Sequence, residues 1–187
     1  MATNAQPFLS DIKELRRRAR EHIEKGPITP NYSADVERSI EILQSALATE
    51  IVCVLRYTMH AVAATGIDSE SVKGEFEEHA HDEHEHLKMI AERINQLGGT
   101  PNLDPEGLAT RASTEYGKAG NLIEMIKENL IAERIAVEHY RELVRFFGDH
   151  DPTTRIMIEH ILAQEEDHAN DMHDLLVAHE GHPFLKG

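Results

Sequence analysis

Apolar residues along this 187-residue chain return every three to four positions over four long stretches, and nowhere alternate as a strand would require. The first stretch runs from a cap at Ser33 to about Thr65, where Gly66 stops it. The second starts at Ser69 or Ser71 and ends at the "LGGTP" of 97–101. The third covers about Asn121 to Phe147 and closes at "GDHDPTT"; the fourth covers about Pro152 to His179, ahead of a tail that cannot continue it. A shorter amphipathic segment over 9–25, with Ile12, Leu15, Ala19 and Ile23 on one side, ends at Gly26, Pro27 and Pro30. The pattern predicts an all-α chain: an N-terminal extension with a short helix over 1–32, an up-down four-helix bundle over 33–180 and a tail over 181–187. Between the second and third long helices stands "GTPNLDPEGLATRASTEYGKAG", too long for a tight turn, which predicts a crossover there.

The apolar faces are interrupted, and always by the same residue type. With Glu83 as zero and 100° per residue, Phe76, Ala80, Leu87, Ile90, Ile94 and Leu97 fall within about 60° of it, as do His79 and His86. His81, His84 and Glu85 point to the flank or the far side. On the first long helix Glu50 lies amid Leu43, Ala46, Leu47, Val54, Tyr57 and Ala61; on the third Glu133 lies amid Ile126, Leu130, Val137, Tyr140 and Val144. On the fourth Glu165 lies amid Ile158, Ile161, Leu162, Ala169, Met172 and Leu176, with His168 three residues on.

An unpaired carboxylate on a core face costs several kcal/mol, so each must be paired, protonated or bound to a cation. One such glutamate has ordinary explanations, but here the pattern repeats in two halves. Glu50 precedes Tyr57 by seven positions, as Glu133 precedes Tyr140, and each half then offers Glu-x-x-His, "EHEH" at 83–86 and "EEDH" at 165–168. Four carboxylates and two imidazoles on facing helices make a two-metal donor set whose charge offsets two divalent cations. The mixture of oxygen and imidazole nitrogen suits iron or manganese.

Net charge sharpens this. At −15, from 34 acidic and 19 basic residues, the chain repels a nucleic-acid duplex and attracts cations. The single cysteine, Cys53, excludes an internal disulfide and a CxxC metal knuckle. The N-terminal segment "IKELRRRAREHIEK" has charge where a signal peptide is apolar, and no uninterrupted apolar stretch is long enough to span a membrane, so a cytoplasmic location is expected.

The stretches "ATEIVCVLRYTMHA", "DEHEHLKMIAERINQLGGTPNL", "LIAERIAVEHY" and "ILAQEEDH" resemble the ferritin-like di-iron carboxylate family, nearest to the bacterioferritins, over about residues 36 to 178. The resemblance implies a ferritin-like bundle with Glu50, Glu83, His86, Glu133, Glu165 and His168 as metal ligands, and it favours Glu83 and Glu165 as the bridging pair. It gives Tyr57 the place of a tyrosine beside the metals that could donate an electron, with His60 one turn further on. It implies a ferroxidase that binds two Fe(II) per subunit, oxidises them with O2 or H2O2, and assembles into a homo-oligomer from a dimer up to a hollow shell.

There are departures. Where bacterioferritins carry a haem-ligating Met directly after the first ExxH glutamate, this chain has His84, which speaks against haem. Competing activities on the same ligands are a manganese catalase or another di-metal oxidase or peroxidase. The extra N-terminal helix resembles that of the DNA-protecting starvation ferritins, with "LRRRAR" as a basic arm; Asp11, Glu14, Glu21 and Glu24 dilute that charge and favour a docking helix instead. His79 and Cys53 stand near the ligands, with a small inert thiol the expectation for Cys53. Val52, Met59 and Ile131 are left over as apolar residues for contacts between subunits.

Overall fold

A computed structural model describes residues 10–66, 69–118 and 120–180, so the tail over 181–187 and the first nine residues lie outside the described residues. All regular structure among the described residues is helical: α1 (Ile12–Arg18), α2 (Val36–Ala63), α3 (Ser69–Gln96), α4 (Leu108–Arg111), α5 (Leu122–Phe147) and α6 (Pro152–Glu180), with a 3-10 turn at Ile23–Lys25. The four long helices are those the apolar periodicity predicts.

Their ends follow from local chemistry. The α2 cap is Asp35, not Ser33: its carboxylate accepts from Arg38 N at 2.9 Å, while Ser33 Oγ turns to His150. Asn121 and Glu124 close a reciprocal capping box at the start of α5. Asp151 accepts from Thr154 N at 3.0 Å at the start of α6, just before Pro152. After α3, Gly98 takes φ 85°, a left-handed geometry that costs a residue with a Cβ, and the chain turns there.

α1 is shorter than the pattern predicts: it ends at Arg18, and His22 then takes a left-handed φ of 53° ahead of the 3-10 turn. No residue of α1 is buried, and Ile12, Leu15 and Ile23 are 62%, 52% and 75% exposed, so this apolar side is left largely uncovered by the described residues.

α2 and α5 run antiparallel, with Tyr57 beside Glu133 and Glu50 beside Tyr140. The long connection lies along α2 and is tied to it in order: Gln44 holds Thr100 O and Asn102 N, Ser45 holds Arg111 O, and Thr49 accepts from Ser113 N. Arg56, buried, donates to Thr114 Oγ1, Glu115 O and Asn129 Oδ1. The crossover thus returns the chain to the other end of the bundle before α5 begins, which is why it is long. α2 is long and apolar enough by composition to cross a membrane, but its apolar run is interrupted and it is a core helix with Glu50 and Arg56 both buried.

The core has two apolar parts. Leu43, Leu47, Ile90, Ile94, Leu143, Phe147 and Ile158 fill one end; Val72, Phe76, Met125, Ile126, Met172 and Leu176 fill the other. Each fully buried side chain of this size contributes about 1.5–3 kcal/mol. Between the two parts lies a layer of buried glutamates. Arg93 fastens one end by donating to both Asp151 oxygens, at 2.9 and 3.0 Å, and Tyr32 OH donates to the same carboxylate. Val52 belongs to this core, not to a leftover surface; Leu55, Val62, Leu103, Ile131, Phe146 and Ile156 are among the apolar residues left exposed.

Candidate metal centre

The polar layer brings together the six ligands expected from the sequence. Glu50 comes from α2, Glu83 and His86 from α3, Glu133 from α5, and Glu165 and His168 from α6; the four glutamates are at most 1% exposed. They form two overlapping clusters. Glu50, Glu83, His86 and Glu165 make one, and Glu83, Glu133, Glu165 and His168 the other, with donor atoms within 4.8 Å of one another in each. Glu83 and Glu165 belong to both.

In the first cluster His86 Nδ1 lies 3.3 Å from Glu50 Oε2, 3.3 Å from Glu83 Oε2 and 3.2 Å from Glu165 Oε1. One N–H cannot serve three carboxylates. Ligands held 2.0–2.2 Å from a first-row ion stand about 3 Å from each other, which is this spacing. In the second cluster His168 Nδ1 lies 3.6 Å from Glu83 Oε1 and 3.9 Å from Glu133 Oε2. Glu83 therefore turns one oxygen to each imidazole. Glu50 Oε2, Glu83 Oε1, Glu133 Oε2, both Glu165 oxygens and His168 Nδ1 are buried without a hydrogen-bond partner. Buried carboxylate oxygens that converge without hydrogen-bond partners of their own fit a pair of cations.

The supports cross between the two halves. Tyr57 OH on α2 donates to Glu133 Oε1 on α5, and Tyr140 OH on α5 donates to Glu50 Oε1 on α2. The outer nitrogen of His168 lies 3.3 Å from Asp82 on α3, and that of His86 lies 3.1 Å from Gln164 on α6. Such outer partners fix which ring nitrogen faces the metal. Asp82 and Gln164 escaped the sequence reading, although each directly precedes the glutamate of an ExxH and so repeats with the halves. They are not equivalent: His168 faces a carboxylate and His86 a neutral amide.

Protons arrange themselves around this charge. Burial, then the Glu83 charge, pushes Glu50 well up, and burial with the Glu83 and Glu133 charges does the same to Glu165. Burial raises Glu133 as well. It acts the same way on Glu83 but is outweighed by hydrogen bonding from His168 and His86, which holds that carboxyl below the usual range. Burial opposes the charged form of His86, yet Glu165, Glu50 and Glu83 overcome it and raise it strongly. The same contest, with Glu83 as the main favourable partner, brings His168 to about 9.

Other residues singled out in the sequence take separate places. His79 is buried, with Nδ1 3.1 Å from Tyr57 OH and its ring stacked on His168; burial, then the His168 charge, lowers it to about 3 and keeps it neutral. His60 stands away from the carboxylates, between Asn129 and Lys118 O. Cys53 is buried beside Arg56, and burial followed by the Glu83 charge pushes its thiol well up, as an inert thiol requires. His84 is exposed, on the flank where the helical wheel puts it.

Comparison with known proteins agrees with this geometry. The ferritin-like domain is matched over residues 40–180. The chain belongs to the ferritin-like family. A DNA protection during starvation protein of Pyrococcus furiosus is 31% identical over 156 residues, 82% of this chain and 84% of that one. A dodecameric thioferritin, the bacterioferritin-related protein of Bacteroides fragilis, superposes with a TM-score of 0.75 at 36% identity, covering 82% of this chain and 94% of that one. A ferritin-like, diiron-carboxylate protein of Bacillus anthracis superposes with a TM-score of 0.68 at 28% identity, covering 77% and 99%. The resemblance to ferritin-like di-iron carboxylate proteins, a bacterioferritin-related one among them, therefore holds.

Proposed function

We propose that this chain is a ferroxidase that takes two Fe(II) ions per subunit as substrate and oxidises them with O2 or H2O2 for iron storage or detoxification. The observation that carries the reading is Glu83, whose two oxygens face the two imidazoles separately, within a set of four buried glutamates. Glu50 and His86 hold one ion, Glu133 and His168 the other, and Glu83 with Glu165 joins them. Two Fe(II) become two Fe(III), and their two electrons, with two protons from solvent, reduce H2O2 to two waters or O2 to H2O2; the paired site would deliver both electrons together. The fixed negative charge favours the ferric product as it forms. Tyr57 and Tyr140 hold the terminal carboxylates in place, and Tyr57 lies close enough to Glu133 to be an electron donor. Iron is the metal the family favours, and manganese fits the same donors. The subunits assemble, as the thioferritin does, through the exposed Leu55, Ile131 and Ile156 among others.

Fe(II) oxidation followed in air and with peroxide, beside metal content, tests this. Wild type is expected to bind two Fe(II) per subunit at the paired centre, and His86→Ala with His168→Ala to lose those two while remaining helical. Unchanged metal content in the double variant would sink the assignment. Evolution of O2 from peroxide without net Fe(II) oxidation would favour the manganese-catalase reading instead.

A second reading, DNA protection, rests on the name of the Pyrococcus relative and on the exposed, arginine-bearing α1. Charge places it second. Arg17 is paired with Glu14 and Glu21, Arg18 with Asn31 and Ser10, and the whole chain carries −15. Linear duplex DNA in a gel-shift at low salt is expected to run free of the full chain. A retarded band abolished by Arg16→Glu with Arg17→Glu would raise this reading to first.

A further inference from the structure

We propose that Glu75, His79 and Asp171 form a third metal site, at the outer edge of the α3–α6 face. It takes one divalent transition-metal ion, such as Fe(II), and passes it to the paired centre. The argument starts from a proton. Tyr57 donates its single hydroxyl hydrogen to Glu133 Oε1. The same hydroxyl lies 3.1 Å from His79 Nδ1, so there it accepts and Nδ1 donates. His79 Nε2 is left as the outward ligand atom of the ring. It points at Glu75 Oε1, 3.4 Å away, and Asp171 Oδ2, 3.6 Å away.

A buried ring nitrogen and two carboxylate oxygens that converge at this spacing make a three-donor cradle for a cation. His79 is 1% exposed, so water does not screen the contact from the ring side. The three ligand atoms lie within 4.8 Å of one another, and nitrogen with two oxygens suits a first-row ion. The two carboxylates are set differently from the glutamates of the paired centre. Their side chains are 32% and 45% exposed, so an ion from solvent reaches them directly.

The site also leads somewhere. A cavity of about 130 Å³ joins Glu75 and Asp171 to His168, with Glu78 and Asp167 on its walls. His79 stacks on His168, ring centroids 4.0 Å apart. A cation held at Glu75 and Asp171 is thus one imidazole away from the Glu133–His168 half of the centre, along an acidic wall. An acidic funnel of this kind raises the local concentration of cations and speeds their capture. Ion binding at this site stands on its own geometry; the transit role rests on the ferroxidase reading.

Co(II), which reports on its coordination by visible absorption, separates the two. The metal-stripped full chain is titrated with Co(II), beside Glu75→Gln with Asp171→Asn and beside His86→Ala with His168→Ala. Circular dichroism checks that each variant is helical. The expectation is three Co(II) per subunit in wild type, two in the carboxylate variant and one in the histidine variant. Two ions in wild type, unchanged in the carboxylate variant, would overturn the third site and leave the paired centre intact. One ion in wild type, lost in the carboxylate variant and kept in the histidine variant, would overturn the paired centre and leave the third site standing. Stopped-flow uptake of Fe(II) tests the transit: the carboxylate variant is expected to load about tenfold more slowly, still reaching two ions. Equal loading rates would overturn the transit role.

Discussion

Glu83→Ala is expected to slow Fe(II) oxidation by more than about a hundredfold, since loss of a mere outer partner of a metal ligand already costs 10–100-fold. Glu83 belongs to both donor clusters, and its two oxygens face His86 and His168 separately. Its removal therefore strips a donor from each ion and cuts one of two carboxylates that join them. Glu165→Ala is expected to match it, because Glu165 is the other shared residue. His84→Ala, one residue along α3 but exposed, is expected to stay within twofold of wild type. Stopped-flow absorbance of the ferric product, with oxidant in excess, measures all three. If Glu83→Ala oxidised Fe(II) as fast as wild type, the buried carboxylates would need another purpose.

The contrast between Glu83 and His84 shows what sequence alone carries here. Direction from a helix axis depends only on the 3.6-residue turn, so adjacent residues could be sent to core and solvent with no knowledge of the neighbours. That rule puts all six expected ligands on core faces, where the structure brings them together, and repetition between the halves argues against coincidence. It could not find groups that act across a gap. Asp82 and Gln164 sit on helix flanks and matter because an imidazole of the opposite half reaches them. Arg56 is buried because the crossover lays Thr114 and Glu115 over it, and no pattern local to α2 records that.

The α1 segment is legible only in part. Its amphipathic spacing is real, but periodicity names a face and not a partner, and Ile12 and Leu15 stay more than half exposed among the described residues. The cap of α2 was misplaced by two residues because Ser33 and Asp35 are both competent caps. Tertiary contact decides between them, since Ser33 is drawn to His150.

Stripping the metal is expected to lower the melting temperature, and the gap between metal-free and metal-loaded protein is expected to widen as pH rises from 6.5 to about 9. Above its ordinary value near 6.5 a histidine in the unfolded chain has lost its proton. His168 in the folded, metal-free chain keeps its proton up to about 9, because Glu83, Glu133 and Asp82 outweigh the cost of burial. That stabilisation is complete below 6.5 and is lost as pH climbs through 9. Glu50 and Glu165 act in the same sense, since burial and the Glu83 charge raise them and the folded chain must surrender protons the unfolded chain has already released. His79 opposes them, but outside the window: lowered to about 3, its effect grows between 3 and 6.5 and is complete at the start. With metal bound, cations replace these protons, and the melting temperature should be nearly level across the same range. At a hundredfold excess over Kd each ion adds about 2.7 kcal/mol, or roughly 5–10 °C for a chain of this size. Thermal melts with chelator and with Zn(II), at steps of pH, measure the gap. A metal-free protein that melts at the same temperature as the loaded one, with the same pH slope, would mean that these carboxylates lie outside any cation site.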